Sequence, residues 1–430
     1  MTDTSSVPVS PRTDDRHEVG WLTMAGFGQI AVAGATIFMC CLMLARPTSI
    51  PIGAMYWDVV VYLDGGWRVL TGQTPSVDFF APVGPLGYWL FAVGLEVFPH
   101  PQPLLLAQWM LLPITLPALL PVVVGLSRTR PGTAWALLLP ILFLQLVPVN
   151  VEQYSTLPGF DGYGIYNRHV TEVLYVLVAA LLFERRPRVL LFTIAWCCTA
   201  LFLIKITGFI AAGIICAFAF ATGRVPLRIA LWAAGLFLLG VVGLEVWNGF
   251  PSHYIGDILT LVQMNEGGIA GRFVQAASIH FGIFGSGLAL LATLFWIERR
   301  ALLGRIQSVA RTRTVADAQS LLDFGPIWLV VLLAVGLFFE SQNTGGQAFI
   351  FLWPLLLVLL QDRSKSPMVI GVLVATVALP PAVNIAHRTM RAVIGQFRYE
   401  LLPVSDLKVL AQTTQRSESI ERAEGQLEVY

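Results

Sequence analysis

The stretch WLTMAGFGQIAVAGATIFMCCLMLA, residues 21–45, decides what kind of protein this is, because it carries no charged side chain from one end to the other. At about 1.5 Å per residue, a helix of that length more than crosses a hydrocarbon core of about 30 Å. A signal peptide would have a shorter apolar centre and a small-residue cleavage site, so the stretch reads as a retained first span. The polar, proline-containing residues 1–20 ahead of it read as a disordered cytoplasmic tail.

The same signal recurs along the chain. Charge-free runs occupy 97–127, 133–151, 173–183, 189–204, 206–223, 229–244, 273–297, 324–339, 341–361 and 366–387. They predict an all-α integral membrane protein with about eleven or twelve transmembrane helices over residues 21–386. Residues 387–430 read as a polar C-terminal tail. Composition agrees: the 430 residues are 56% hydrophobic and 12% charged, with a mean hydropathy of +0.72. A water-soluble domain carries about 25% charged residues, so a large soluble enzyme is excluded, as are disordered and collagen-like chains. A net charge of +1 offers nothing to nucleic acid. The five cysteines lie in apolar runs without C-x-x-C spacing and read as small hydrophobes. No phosphate-binding glycine motif or fixed-period repeat is present, which argues against a nucleotide-driven pump.

Orientation follows from the short basic loops. Arg185, Arg186 and Arg188 form one cluster, Arg224 and Arg228 a second, Arg299, Arg300, Arg305, Arg311 and Arg313 a third, and Arg363 with Lys365 a fourth. All four fit the cytoplasmic face, which places 46–84, 150–168, 247–278 and 340–347 outside. Arg128 and Arg130 follow only if the proline-rich residues 99–121 are broken or re-entrant; two full spans over 85–98 and 103–126 would reverse the parity.

The first outer loop, 46–84, is the informative one. Residues 59–70 place Val59, Tyr62, Leu63, Trp67 and Leu70 at helical spacing on one face, which predicts an interfacial helix that Gly72 stops. Asp64 and Arg68 make an ordinary surface pair on the other face. Asp58 either caps this helix or faces a cavity as a proton acceptor. Asp78 either stabilises a turn or substitutes for Asp58.

Further along, Lys205 stands between two apolar runs, where a cation is costly unless it meets an anion or snorkels to the interface. Arg168 either grips a phosphate with its planar fork or pairs with Glu172 four residues on. The 247–278 loop, with His253, Asp257, Glu266 and Arg272, is a lid or simply a solvated connection. The polar turn from Glu340 to Gln347 either binds sugar hydroxyls or connects two spans.

The opening of the chain has a familiar order: a first span, Asp58, Tyr62, Gly65, Leu70-Thr71-Gly72-Gln73-Thr74-Pro75, Asp78-Phe79 and Pro82-Val83-Gly84-Pro85-Leu86-Gly87-Tyr88. It resembles the start of bacterial GT-C glycosyltransferases, the multi-span enzymes related to dolichyl-phosphate-mannose protein mannosyltransferases and lipid A aminoarabinose transferase. Tyr166-Asn167-Arg168 and Ile204-Lys205-Ile206-Thr207-Gly208 are similar to recurrent turns of that family. Over the first hundred residues the likeness is in motifs; beyond them it is topological. It implies a GT-C-like enzyme of the inner (plasma) membrane. Such an enzyme transfers a sugar from a polyprenyl-phosphate donor to an extracytoplasmic glycan, lipid or protein acceptor, with inversion. Carried over, Asp58 is the general base with Asp78 its substitute, and Lys205 and Arg168 hold the donor phosphate. Tyr62, Asn167, Glu172 and Gln347 line the substrate. A divalent metal ion is compatible with this chemistry, with no ligands assigned. The family often has an Asp-Glu pair where this chain has Asp58-Val59, which favours a single-carboxylate role. The competing reading is a transporter or flippase of lipid-linked sugars that uses Lys205, Arg168 and Glu172 as a charge relay. A non-catalytic scaffold would leave Asp58 and Lys205 without a reason. Convergence of Asp58, Asp78, Arg168 and Lys205 on one outer-face cavity separates transfer from a scaffold.

Overall fold

The structure is a computed structural model that describes residues 24–53, 55–153, 158–264, 268–343, 345–361, 367–396, 399–401 and 410–413. The N-terminal tail, residues 21–23 of the first span, Glu266, Arg363, Lys365 and most of the C-terminal tail lie outside the described residues.

Helix α1 (Met24–Leu44) is followed by α2 (Trp57–Leu70), α3 (Leu86–Val97), α4 (Pro103–Trp109), α5 (Leu112–Ser127) and α6 (Pro131–Leu146). Next come α7 (Ile165–Phe183), α8 (Pro187–Ile204), α9 (Ile206–Ala221), α10 (Leu227–Asn248), α11 (Phe250–Met264) and α12 (Ile269–Ile279). The last are α13 (Phe281–Thr312), α14 (Val315–Leu322), α15 (Gly325–Ser341), α16 (Trp353–Gln361) and α17 (Pro367–Gly395). Among the described residues, seven helices are long and apolar enough to cross a membrane: α1, α4 joined to α5, α7, α8, α10, α13 and α17. The pair α14–α15, bent by 64°, makes an eighth if it is one broken span.

This is a helical membrane protein with fewer full-length spans than the charge-free runs predict. The runs hide breaks that only backbone geometry reveals. The 133–151 run yields α6, whose 16 residues reach about 24 Å, short of a hydrocarbon core of about 30 Å. Likewise α9 has 16 residues, and the 341–361 run opens with a polar turn before α16.

Helix α7 is the axis. Of its most apolar window 94% is buried, against 22% in α1 and 6% in α10. Helices α4, α5, α6, α8, α9 and α16 pack around it, and the loops sort to its two ends. At one end Arg128, Arg185, Arg186 and Arg188 line a single cleft. Arg186 there donates to the Pro121 carbonyl and Arg224 pairs with Asp323. Arg130 belongs to this arginine end too, donating to Gln361 at 3.3 Å. The open parity is thereby resolved: α3 packs on α2 at the opposite end, and the chain crosses once between Pro103 and Ser127.

The opposite, loop-rich end ties distant segments together by their backbones. Gly53 donates to Phe160 at 2.8 Å, Val151 to Gly346 at 2.8 Å, and Gly84 to Ile204 at 2.9 Å. A small sheet adds to it, with β1 (Ile50–Pro51) parallel to β3 (Leu410–Thr413) and β2 (Tyr399–Leu401) antiparallel to β3. Helix α17 continues past the expected boundary at residue 386, because Arg388 on it is buried and bonded. The C-terminal region is therefore part of the fold at least through Gly395.

Helix α2 differs from its predicted one-sided pattern. Val59 and Tyr62 face inward as expected, but Trp67 is 65% exposed, together with Trp57, Val60 and Val61. The outer face mixes these apolar side chains with the exposed Asp64–Arg68 pair, and the inner one is set by glycine. A Cβ on Gly65 would stand 2.5 Å from the Tyr88 ring, and one on Gly66 2.6 Å from Phe91, so the two helices meet with no room for a side chain there.

Two introduced cysteines test the two-ended arrangement. In a cysteine-free background, Thr71→Cys and Thr129→Cys, both exposed and at opposite ends, should react with a membrane-impermeant maleimide from opposite sides of sealed vesicles. Labelling of both from one side would refute the parity.

Candidate functional site

The site is built on the N-terminus of α7. The first amides of a helix have no partner within it, and in an apolar bundle they cannot turn to water. Gly164, at φ +69°, precedes α7 and has no side chain to cap it. A Cβ there would lie 2.8 Å from the Gly345 carbonyl carbon, so no capping residue fits. Asp58 supplies the acceptor from 106 residues away: its Oδ2 accepts from Gly164 N at 2.6 Å and from Ile165 N at 3.3 Å. It thus caps α7 and not its own helix, whose N-cap residue is Tyr56. Burial pushes the Asp58 carboxyl above the usual range, with the Gly164 and Ile165 amides and the Arg168 and Lys205 charges pulling it back.

Lys205 joins α8 to α9, and its extended backbone breaks what would otherwise be one helix. Its Nζ donates to Asn167 Oδ1 at 2.9 Å and to Asn343 Oδ1, and lies 4.5 Å from the centre of the Tyr166 ring. Burial pulls the amine down to about 8, against the opposing charges of Asp58 and Glu340. Asn167, turned toward Lys205 by its Oδ1, is pinned by its Nδ2 to the Gly345 carbonyl at 2.9 Å.

Arg168 departs from both of its predicted roles. It is fully buried, and its donors go to Gln108 Oε1 at 2.8 Å, Asn150 Oδ1 at 2.6 Å, and the carbonyls of Tyr163 at 2.9 Å and Asp161 at 3.3 Å. No fork is left for a phosphate. Nor does it pair directly with Glu172, because Gln108 stands between them and donates to Glu172 Oε1 at 2.9 Å. Arg168 is a tie that locks the loop ahead of α7. Gln347 is likewise a connector: fully buried, it donates to the Leu144 carbonyl at 2.8 Å. Asp78 is exposed and accepts from Thr74 N at 2.6 Å, closing a turn. Tyr62 is buried against Tyr88, Phe91 and His169 beside this cluster. The 247–278 segment, read as a lid or a solvated connection, is helical over α11 and α12, and Asp257 fastens it to the first outer loop by accepting from Ala81 N at 2.8 Å. Asp58, Tyr62, Asn167, Arg168 and Lys205 therefore gather at one end of α7, while Asp78, Glu172 and Gln347 serve elsewhere.

Two groups escape sequence reasoning altogether. Arg388 donates from Nη2 to Asp161 Oδ1 and from Nη1 to the Asn150 and Glu152 carbonyls, each at 2.6 Å. His280 Nε2 donates to Glu152 Oε1 at 2.8 Å and lies 3.5 Å from Glu340 Oε2. Burial alone would lower the His280 pKa, but its bonds to the two carboxylates prevail and raise it to about 9. A cavity of about 300 Å³ opens there, lined by Glu152, Arg272, His280, Glu340 and Asn343 among others. The available signal was positional: His280 precedes one apolar helix and Glu340 sits in the last turn of another, at the same end.

Breaking a buried pair strands a charge. Arg388→Met should lower unfolding stability by about 3–5 kcal/mol, read by denaturation in detergent, and adding Asp161→Asn should recover part of the loss. Equal stability of Arg388→Met and wild type would show that the pair contributes nothing.

The sequence matches no protein-family model, and neither a curated protein nor a solved structure matches the chain.

Proposed function

We propose that the chain is a membrane glycosyltransferase that moves a sugar from a polyprenyl-phosphate donor to an extracytoplasmic glycan, lipid or protein acceptor. The observation that carries the reading is the gathering of a buried carboxylate, Asp58, and a half-buried amine, Lys205, around the start of α7, at the end of the bundle away from the arginine clusters. By the positive-inside rule the arginine end faces the cytoplasm, and the pair faces out from the inner (plasma) membrane. The exposed Trp57, Val60, Val61 and Trp67 of α2 are side chains suited to the headgroup boundary, which supports an interfacial helix beside the site. An apolar cleft of about 190 Å³, lined by Leu144, Phe349, Trp353 and Ile385, suits part of an isoprenoid tail.

In this reading Asp58 takes the proton of the acceptor hydroxyl as its oxygen bonds to the anomeric carbon. The bond from that carbon to the phosphate oxygen breaks on the far face, giving inversion. Lys205, with a pKa of about 8, remains largely protonated at neutral pH and stabilises the departing phosphate. The elevated pKa of Asp58 makes it a stronger base than an exposed carboxylate. Arg168 acts by holding the loop, not by touching phosphate. The flippase alternative draws less support, since it needs Arg168 and Glu172 to exchange partners that are fixed and buried.

Asp58→Asn keeps an acceptor oxygen for Gly164, so expression should persist while transfer falls by about 10²–10⁴-fold in membranes supplied with a panel of polyprenyl-phosphate sugars. Undiminished transfer would remove Asp58 as the base, and no transfer by the wild type from any donor would remove the reading itself.

A further inference from the structure

We infer that Glu152, His280 and Glu340 form a binding site for a divalent transition-metal cation of the zinc or manganese class, with one coordination position open to the adjoining cavity. The three residues come from separate parts of the chain: the segment after α6, the junction of α12 and α13, and the last turn of α15. One ligand atom from each lies within 4.8 Å of the others. Their side chains are only 7%, 3% and 2% exposed, respectively.

The second, independent observation is a pair of orphaned atoms. Glu152 Oε2 and Glu340 Oε1 are buried and have no hydrogen-bond partner. Burying a carboxylate oxygen unpaired is costly, and the single proton on His280 Nε2 cannot serve all four oxygens. Two carboxylates against one imidazolium also leave a net negative charge in the cluster. A dication that displaces the Nε2 proton to solvent neutralises it.

The geometry is close to what an ion needs. Donor bonds of about 2.0–2.2 Å place tetrahedral ligand atoms roughly 3.4 Å apart. His280 Nε2 stands 2.8 and 3.5 Å from its two carboxylates, so a small shift of the imidazole opens the shorter distance. One nitrogen and two carboxylates suit zinc or manganese, whereas calcium and magnesium favour oxygen alone. Three protein ligands leave a fourth position vacant, the pattern of a site that takes an exogenous ligand. Asn343 lines the same cavity and holds Lys205, so an anion bound there meets the cation on one side and the amine on the other. Arg272 on the cavity wall adds a further positive group for that anion.

The site stands whether or not the chain transfers sugar, so its test reads metal and not activity. The full-length chain, purified in detergent without a histidine tag and stripped with chelator, is titrated with Zn²⁺, Mn²⁺ and Ca²⁺, and bound metal is counted by elemental analysis. One equivalent of zinc or manganese is expected. Glu340→Gln and His280→Asn should each weaken it by more than the roughly 10–100-fold that loss of a supporting partner costs. Thermal denaturation of each variant distinguishes lost metal from lost fold, and added zinc should raise the melting temperature of the wild type alone. Substoichiometric zinc and manganese in the wild type, folded variants that bind as tightly as the wild type, or a preference for calcium would overturn the assignment.

Discussion

The unmet amides at the start of α7 are the constraint on which the rest depends. This helix is enclosed on all sides, so its first turn must find acceptors inside the protein. Asp58 meets the need, and in doing so fixes α2 against the loop before α7. Arg168 in the first turn makes the demand sharper, because a cation at the positive end of a helix dipole is unfavourable. Carbonyls of Tyr163 and Asp161, side chains of Gln108 and Asn150, and the nearby carboxylates absorb that charge. A single helix start thus collects polar groups from the first outer loop, the Gln108 region and the loop after α6.

Concentrating polarity at one end has a chemical result. Lys205 reaches the same place by breaking α8 from α9, and two asparagine oxygens hold its amine. Asp58 and Lys205 are then close enough for each to feel the other's charge. Asp58 is held by the α7 amides and Lys205 by asparagine oxygens, so neither is spent on the other, and this is what supports the proposed transfer reaction. The neighbouring Glu152–His280–Glu340 group extends the charged region on the far side of Asn343.

What was legible in the sequence follows physical range. Charge-free runs report the membrane because lipid forbids isolated charge anywhere along a span. Grouped arginines report one face for the same reason, and Arg128 and Arg130 joined that face once α3 proved to pack on α2. Helix lengths are set by single residues and turns, so several runs gave apolar helices shorter than a full span, α6, α9 and α16 among them. Asp58 was recognisable as unusual, but its partner 106 residues away was not. Arg168 read as a phosphate ligand because nothing local shows that Gln108 and Asn150 would occupy it. Glu152, His280 and Glu340 form no motif, since the packing of α12 and α13 against α15, together with the segment after α6, brings them together.

One peripheral helix has a consequence of its own. Helix α10 is 22 residues long, about 33 Å, and only Ile229 and Ala233 on it are buried. Its main protein partner is α8, and the rest of its surface is left to the lipid of a bilayer of about 30 Å. Gly249, at φ +69°, turns the chain directly from α10 into α11, where Asp257 grips the Ala81 amide. A displacement of α10 in the lipid would therefore be passed through this one turn to the first outer loop.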